Sequence, residues 1–208
     1  MTISAWLLNN WIEIFGAITG IVYVFLEIKQ KLWLWPVGII TSAVYIWVFF
    51  TSKFYADMSL QIYYLVISCF GWYWWVRRKN GKMGEREKGR KGESGNITLQ
   101  VTRLKLRAGI VLAITFILLY VMMWNILSHF TDSPVPEWDS FITSLSVIAT
   151  WMLAKKIYEH WFLWIVVNTA SCILFTTRGL FPTAVLYTIY GLMSLAGLKA
   201  WRKTLKTG

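Results

Sequence analysis

Four residues in the last quarter of the chain have the types and the spacing of a ligand-binding surface. Trp161, Trp164, Asn168 and Ser171 are separated by 3, 4 and 3 positions, so they lie along one face of an α-helix. Two indoles followed by a carboxamide form an apolar slot that contains a hydrogen-bonding group. The surrounding run, residues 160–175, is apolar enough to cross a bilayer, where a polar group is costly unless it has a partner. Asn168 therefore requires either a neighbouring helix or a ligand.

The composition of the whole chain is that of a membrane protein. Of its 208 residues, 57% are hydrophobic, whereas soluble domains contain about 45–50% apolar residues. The excess occurs in runs of about 20 residues, which is long enough to cross about 30 Å of hydrocarbon. We predict an all-α polytopic membrane protein that forms a single domain over residues 1–208. Seven transmembrane helices are expected, at about residues 11–28, 33–50, 56–76, 108–127, 138–154, 161–177 and 181–201.

The net charge of +11 follows from membrane topology rather than from nucleic-acid binding. A basic loop at residues 77–107 separates the third and fourth helices, and most of the remaining Lys and Arg residues lie in other loops. If the N-terminus is outside, 19 of the 21 Lys and Arg residues face the cytoplasm, and only Lys53 and Arg178 face outwards. The positive-inside rule therefore predicts an external N-terminus and a cytoplasmic C-terminus.

The chain contains an internal repeat. When residues 35–75 are shifted by 126 positions onto residues 161–201, nine of 41 positions are identical. Helices 1–3 (residues 11–76) therefore match helices 5–7 (residues 138–201), and helix 4 (residues 108–127) is a linker. Because equivalent helices are four crossings apart, they run in the same direction. The sequence predicts a 3+1+3 arrangement of parallel repeats, with the substrate site between them near mid-membrane. The identical pairs are Trp35/Trp161, Ile39/Ile165, Phe49/Phe175, Thr51/Thr177, Leu60/Leu186, Tyr64/Tyr190, Ser68/Ser194, Gly71/Gly197 and Trp75/Trp201.

The third helix of each repeat carries a stripe of polar and small residues at spacings of 4, 3, 4, 3 and 4. Such a stripe lies along one helix face and fits either a seam between helices or the wall of a cavity. We assign the small members to a seam and the larger polar members to a cavity, because a dry seam accommodates a group such as Gln61 poorly. The seam set is Ser68, Gly71, Ser194 and Gly197, and the cavity set is Gln61, Tyr64, Tyr187 and Tyr190.

Short motifs in both halves give the chain a family resemblance. They are Trp35-Pro36-Val37-Gly38, the run from Tyr55 to Gln61 with Tyr63-Tyr64, Gly71-Trp72, Trp161-x-x-Trp164-x-x-x-Asn168, and Leu186-Tyr187. With these motifs the chain resembles the PnuC family of bacterial vitamin transporters, whose best-known members carry nicotinamide riboside. The resemblance covers the chain apart from the basic loop.

The resemblance implies a fold, a mechanism and a set of partners. The fold is the seven-helix, SWEET-like one, often assembled as a homotrimer in the inner membrane. Uptake proceeds by facilitated diffusion, and a separate cytoplasmic kinase traps the vitamin by phosphorylation. The expected partners are the small-molecule vitamin, the lipid bilayer and that kinase. No cofactor, metal or nucleic acid is expected, and Cys69 and Cys172 are expected to be buried free thiols.

The predicted substrate-binding residues suit a flat aromatic cation. Indole and phenol rings attract a pyridinium ring through their quadrupoles, and carboxamides can bond an amide or ribose hydroxyls. By position in the family motif, Trp161, Trp164 and Asn168 line the site, and residues of helices 3 and 7 face them. In the first repeat Gly38 and Ser42 replace Trp164 and Asn168, so the ligand is expected mostly against helix 6. The full predicted set is Trp161, Trp164, Asn168, Gln61, Tyr64, Tyr187, Tyr190, Asp57 and Ser42.

Two other transport functions stay open on the sequence. Thiamine is also a flat aromatic cation, and Phe181-Pro182-Thr183 stands where an Asn or Asp is expected in nicotinamide riboside carriers. An ion-coupled transporter would use Asp57, which lies near the outer end of helix 3 rather than at mid-membrane. A membrane enzyme is not expected, because His129 and His160 lie in separate regions and no acid cluster or paired-His motif is present.

Overall fold

A computed structural model of the chain describes residues 11–51, 55–87, 100–131 and 134–206. These ranges contain seven helices: α1 (Trp11–Ile28), α2 (Leu34–Thr51), α3 (Tyr55–Glu87), α4 (Leu106–Phe130), α5 (Pro136–Ala154), α6 (His160–Thr177) and α7 (Phe181–Lys206). The prediction of an all-helical chain is confirmed, and each predicted helix has a counterpart here. The prediction that Cys69 and Cys172 are buried is wrong, because Cys69 is exposed on α3 and Cys172 is only partly buried on α6.

The basic loop predicted for residues 77–107 is wrong at both ends. α3 continues to Glu87 and α4 begins at Leu106, so the loop is shorter than predicted. Seven of the eleven residues from 77 to 87 are Lys, Arg or Glu, which have good helix propensity and sustain the helix despite Gly81 and Gly84. The charged residues that begin at Arg77 therefore mark the end of the apolar part of α3 and not the end of the helix. Residues 88–99 lie outside the described part of the chain.

Within the described ranges, four helices are long and apolar enough to cross a membrane: Leu34–Thr51, Leu106–Phe130, His160–Thr177 and Phe181–Leu205. The apolar part of α1, Ile14–Ile28, is shorter. α4 has no buried residue although it is almost entirely apolar, and the side chains of Ile114 and Leu118 are 54% and 65% exposed. A helix that is apolar on all sides and open on most of them suits a surrounding of lipid chains.

The helices form two compact units. The first, residues 1–97, contains α1–α3, and the second, residues 98–208, contains α4–α7. In the first unit α2 packs against α1 and α3, and in the second unit α6 packs against α5 and α7. Each unit contains one fully buried tryptophan at the start of its α2 or α6 helix, Trp35 or Trp161.

The two buried tryptophans have the same neighbours in their own units. Trp35 meets Trp75 edge-on at 5.4 Å between ring centroids, and its ring covers Gly71. Trp161 meets Trp201 edge-on at 5.7 Å, and its ring covers Gly197. A Cβ atom at either glycine would fall on the indole ring. The glycines are therefore required so that the helices can approach closely.

The turn before each buried tryptophan is also repeated. Gln30 follows the end of α1 with φ 52°, and Lys156 follows the end of α5 with φ 56°, both in the left-handed region. In the first turn Lys31 N donates to Leu26 O at 2.9 Å, and in the second Ile157 N donates to Met152 O at 2.9 Å. This is the Schellman arrangement that closes a helix C-terminus. Five backbone hydrogen bonds recur at a shift of 126 residues: those donated by Lys29, Gln30, Lys31, Leu34 and Trp35 match those donated by Lys155, Lys156, Ile157, His160 and Trp161.

In the second unit an extended segment before α4 joins the α5–α6 turn. Thr102 N donates to Lys156 O at 3.0 Å, and Tyr158 N donates to Thr102 O at 2.9 Å. The Glu159 carboxylate accepts a hydrogen bond from Leu104 N at 2.8 Å. The segment thus forms an isolated parallel β-bridge between Thr102 and Ile157. These bonds satisfy backbone groups that would otherwise lack partners next to the membrane.

The Gly197→Ala substitution is expected to destabilise the second unit by about 1–3 kcal/mol, the usual cost of overpacking a tight contact. Its new methyl group would fall on the ring of Trp161. Thermal unfolding of the purified protein in detergent measures the effect, and Gly71→Ala is expected to behave alike against Trp35.

The matched control is Gly191→Ala. A Cβ atom there meets only Asn168 Cβ at 3.8 Å, an ordinary contact, and alanine favours a helix over glycine by about 0.5–1 kcal/mol. This variant is expected to keep or raise the unfolding temperature. Equal stability of the Gly197 and Gly191 variants would contradict the close packing of Trp161 on Gly197.

Candidate functional site

α6 presents two hydrogen-bonding residues that differ from their equivalents in the first unit. Trp164 and Asn168 stand where the first unit has Gly38 and Ser42. Asn168 is 5% exposed, and Trp164 is partly buried. The packing residues, such as Trp35 and Trp161, are identical in the two units, whereas Trp164 and Asn168 differ from their equivalents. We call the residues that are common to both units the scaffold, and this pair lies outside it.

Asn168 joins α6 to α7. Its Nδ2 donates to the Ser194 hydroxyl at 3.1 Å, and that hydroxyl donates to Tyr190 O at 2.8 Å. The carboxamide thus has the helix neighbour that its depth in the membrane demands. It also has a second N–H and a carbonyl oxygen with which it can engage a ligand. Ser194, assigned from the sequence to the helix seam, is therefore the residue that orients Asn168.

The indole N–H of Trp164 is buried and has no hydrogen-bond partner among the described residues. The same is true of the indole N–H groups of Trp161 and Trp35. Because Trp35 and Trp161 are equivalent packing residues in the two units, their lone N–H groups belong to the shared scaffold. Trp164 has no such counterpart, so its N–H is a donor that the scaffold does not explain.

Trp161 is 0% exposed. Its ring contacts Gly197 and Trp201, and His160 lies 4.7 Å away between ring centroids. The buried Lys156 places its Nζ 5.9 Å from the centre of the Trp201 ring. Trp161 therefore packs α6 onto α7 in this structure, and its predicted contact with a ligand stays a prediction. The repeated Trp–Gly pairing was the sequence signal for this packing role.

The two tyrosines predicted for the cavity wall of α7 lie in an aromatic cluster of the second unit. Tyr187 stacks on Phe175 of α6 at 5.2 Å and meets Tyr190 edge-on at 5.9 Å. Both tyrosines are partly buried. Since Tyr190 O accepts the Ser194 hydrogen bond, the cluster continues directly into the Asn168 contact.

The remaining predicted residues lie in the first unit. Ser42 of α2 is 4% exposed, whereas Gln61 and Tyr64 of α3 are partly buried. Tyr64 lies 5.6 Å from Tyr63 between ring centroids. Asp57 belongs to the first turn of α3, and its side chain is outside the described part of the structure. Contacts in the second unit therefore link Asn168 to Tyr190 and Tyr187 through Ser194, whereas Trp161 packs on Gly197 and Trp201. The predicted α2 and α3 residues lie in the first unit.

The candidate site in the second unit consists of neutral groups. It offers an indole N–H, a carboxamide and aromatic rings, which can recognise a flat polar ligand through hydrogen bonds and stacking. Among the described residues, no group of three or more His, Cys, Asp or Glu side chains is placed to hold a metal ion.

Asn168 and Ser194 are expected to be coupled energetically. Removing either side chain loses the same hydrogen bond, so a double-mutant cycle of Asn168→Ala and Ser194→Ala should give a coupling of about 0.5–1.5 kcal/mol. Reversible unfolding in mixed micelles measures it. Ser146→Ala is the matched partner for a control cycle, because the Ser146 hydroxyl donates to Ile142 O of its own helix at 2.7 Å. Additive effects in the first cycle would show that the bond contributes nothing to stability.

Comparison with known proteins identifies the family. Residues 10–203 match the model of the family described as nicotinamide mononucleotide transporter. A nicotinamide riboside transporter PnuC of Escherichia coli K12 is 24% identical over 216 residues, covering 92% of this chain and 85% of the relative. The corresponding transporter of Neisseria mucosa is 26% identical over 95% of this chain and 74% of its own length. A riboflavin/roseoflavin transporter, RibM, of Streptomyces davaonensis is 22% identical over 92% of this chain and 84% of its own.

A solved structure has the same fold. The crystal structure of the vitamin B3 transporter PnuC superposes with a TM-score of 0.74 at 23% identity, covering 98% of this chain and 85% of that one. The match agrees with the helices that are apolar enough to span a bilayer, so the chain is a multi-pass membrane protein. It belongs to the nicotinamide mononucleotide transporter family, whose members are membrane transporters and not enzymes.

Proposed function

We propose that this protein carries a flat cationic vitamin, nicotinamide riboside as first choice, across the bacterial inner membrane. Transport is by facilitated diffusion, and a cytoplasmic kinase traps the product by phosphorylation. The family and the names of the relatives from Escherichia coli and Neisseria mucosa support the substrate class. The N-terminus is outside and the C-terminus cytoplasmic, as the distribution of Lys and Arg favours, and the assembly is a homotrimer.

The single observation that carries the substrate assignment is the pair of unshared groups on α6. Trp164 offers a buried N–H without a partner in the described residues, and Asn168 offers a carboxamide fixed by Ser194. An indole face attracts a pyridinium ring, and the attraction increases when water is excluded. A carboxamide pairs with the amide of nicotinamide by donating and accepting together. Neutral groups suit a carrier, because the ligand must also be released.

We infer a 3+1+3 architecture of parallel three-helix repeats, with α4 as the linker. Three observations support it: the identities at a shift of 126 residues, the two Trp–Gly–Trp clusters, and the five matched hydrogen bonds of the α1–α2 and α5–α6 turns. The first-unit residues Gln61, Tyr64, Ser42 and Asp57 are also proposed to bind substrate, because of their place in the polar stripe of α3 and in the repeat.

Thiamine and riboflavin are the second candidates. Thiamine is favoured by its flat cationic ring, which the same aromatic and amide groups suit. Riboflavin is favoured by the similarity to RibM over 92% of this chain. It is larger and uncharged, so it would gain from stacking but not from attraction of a cation.

Binding to purified protein tests the substrate. Nicotinamide riboside, thiamine, riboflavin and thymidine are titrated in turn, with tryptophan fluorescence as the signal and the 14 tryptophans of the chain as reporters. Nicotinamide riboside is expected to bind most tightly. Trp164→Phe, which keeps a ring and removes the N–H, and Asn168→Ala are each expected to weaken its binding by about tenfold, the value of one buried hydrogen bond.

Trp47→Phe is the matched control, because the Trp47 side chain is 70% exposed and should leave the affinity unchanged. Tighter binding of thiamine or riboflavin would replace the first choice of substrate. If none of the four ligands bound, the proposed vitamin transport would be contradicted. Unchanged affinity in both α6 variants would show that Trp164 and Asn168 do not bind the ligand and serve only in helix packing.

Uptake into liposomes tests the mechanism. A uniporter equilibrates its substrate whether or not an ion gradient exists, so dissipating the proton or sodium gradient with an ionophore should leave the initial rate of nicotinamide riboside uptake unchanged. Asp57→Asn should also keep transport independent of the gradients. Loss of uptake on collapse of either gradient would establish ion coupling in place of facilitated diffusion.

A further inference from the structure

Two buried serines in the second unit differ from the other hydroxyl side chains of their surroundings. In α5 the hydroxyls of Ser140, Ser146 and Thr150 each donate to the backbone oxygen four residues earlier, at 2.6–2.8 Å. Ser144 of α5 and Ser171 of α6 are each 1% exposed. Their hydroxyls have no hydrogen-bond partner among the described residues. A buried hydroxyl without a partner is costly in hydrocarbon, so both positions call for a ligand.

The two serines lie at the same depth. α5 and α6 are antiparallel neighbours joined by the turn at residues 155–159, and Leu163 of α6 packs against the cluster formed by Ile148, Met152 and Ile157. Ser144 precedes the end of α5 by ten residues, and Ser171 follows the start of α6 by eleven. At 1.5 Å per residue both lie about 15–17 Å from the turn. That is about half of a 30 Å hydrocarbon layer.

The pair is absent from the equivalent positions of the first unit. At a shift of 126 residues, Ser144 corresponds to Ile18 and Ser171 to Tyr45. Ile18 is 57% exposed, and the Tyr45 hydroxyl donates to Ile12 O at 3.3 Å. The serine hydroxyls therefore do not belong to the shared scaffold. They are confined to the second unit, as are Trp164 and Asn168, and Ser171 follows Asn168 by three residues on the same helix.

We propose that Ser144 and Ser171 form a hydroxyl subsite that binds the sugar portion of the substrate at mid-membrane depth. This proposal rests on the proposed transport of a riboside. Each serine hydroxyl donates one hydrogen bond and accepts others, which matches the vicinal hydroxyls of a ribose. The aromatic and amide groups of α6 recognise the pyridinium ring, and the serine pair recognises the sugar. The subsite therefore discriminates ribosides from aromatic cations that have no ribose.

The test compares two ligands that share the ring. Nicotinamide riboside and 1-methylnicotinamide carry the same pyridinium amide, but only the first has a ribose. Ser144→Ala and Ser171→Ala are each expected to weaken binding of the riboside by about tenfold and to leave binding of 1-methylnicotinamide unchanged. Ser140→Ala and Ser146→Ala are the matched controls, since these buried hydroxyls already bond their own helix. Both controls should bind the two ligands as the wild type does.

Unfolding without ligand provides a second readout. Because neither hydroxyl has a partner in the described residues, Ser144→Ala and Ser171→Ala should unfold at the same temperature as the wild type or higher. Equal loss of affinity for the two ligands, or no loss for the riboside, would overturn the subsite and leave the hydroxyls to a buried water. Wild-type protein that binds no riboside would instead overturn the proposed function, and that outcome is seen before any serine variant is measured.

Discussion

The lack of water in the hydrocarbon layer governs where the polar groups of this chain lie. A polar group at that depth must bond to its own helix, to a neighbouring helix or to a ligand. Most hydroxyls of the described helices take the first course and donate to a backbone oxygen three or four residues earlier, as Thr150 does. Asn168 takes the second course, through Ser194. Few buried polar side chains of the described residues have neither kind of partner, and the proposed ligand contacts are assigned to them.

The polar groups without described partners can be interpreted by comparing equivalent positions of the two units. Trp35 and Trp161 occupy equivalent places, cover equivalent glycines and leave equivalent indole N–H groups without described partners. Whatever the two units share is therefore scaffold. What remains is the polar set confined to the second unit, which includes Trp164, Asn168 and the serine pair. Under the proposed function, packing is common to the two units, and recognition is concentrated in the residues that differ between them.

The sequence was most informative where local and repeated patterns agreed. Seven apolar runs predicted seven helices, and the identities at Gly71, Gly197 and their tryptophans pointed to the close contacts that the structure contains. It was less informative where two roles use the same residue type. Trp161 and Trp164 look alike in a motif, yet Trp161 is 0% exposed and packs on Gly197 as Trp35 packs on Gly71, whereas Trp164 is only partly buried and has no counterpart in the first unit. The end of α3 was predicted too early because the charged residues after position 76 were interpreted as a loop. Lys, Arg and Glu have good helix propensity, and the helix continues through them.

By itself the sequence determined the membrane character, the helices and the internal repeat, because hydrophobic length and periodicity are properties of the chain alone. Only the tertiary structure decided which polar residues are satisfied. Ser144 and Ser146 lie two residues apart on one helix, but one hydroxyl bonds its helix and the other has no described partner. The stripe that joined Trp161, Trp164, Asn168 and Ser171 was divided in the same way into packing, bonded and unbonded members. That division depends on rotamers and on neighbouring helices, which no spacing in the sequence specifies.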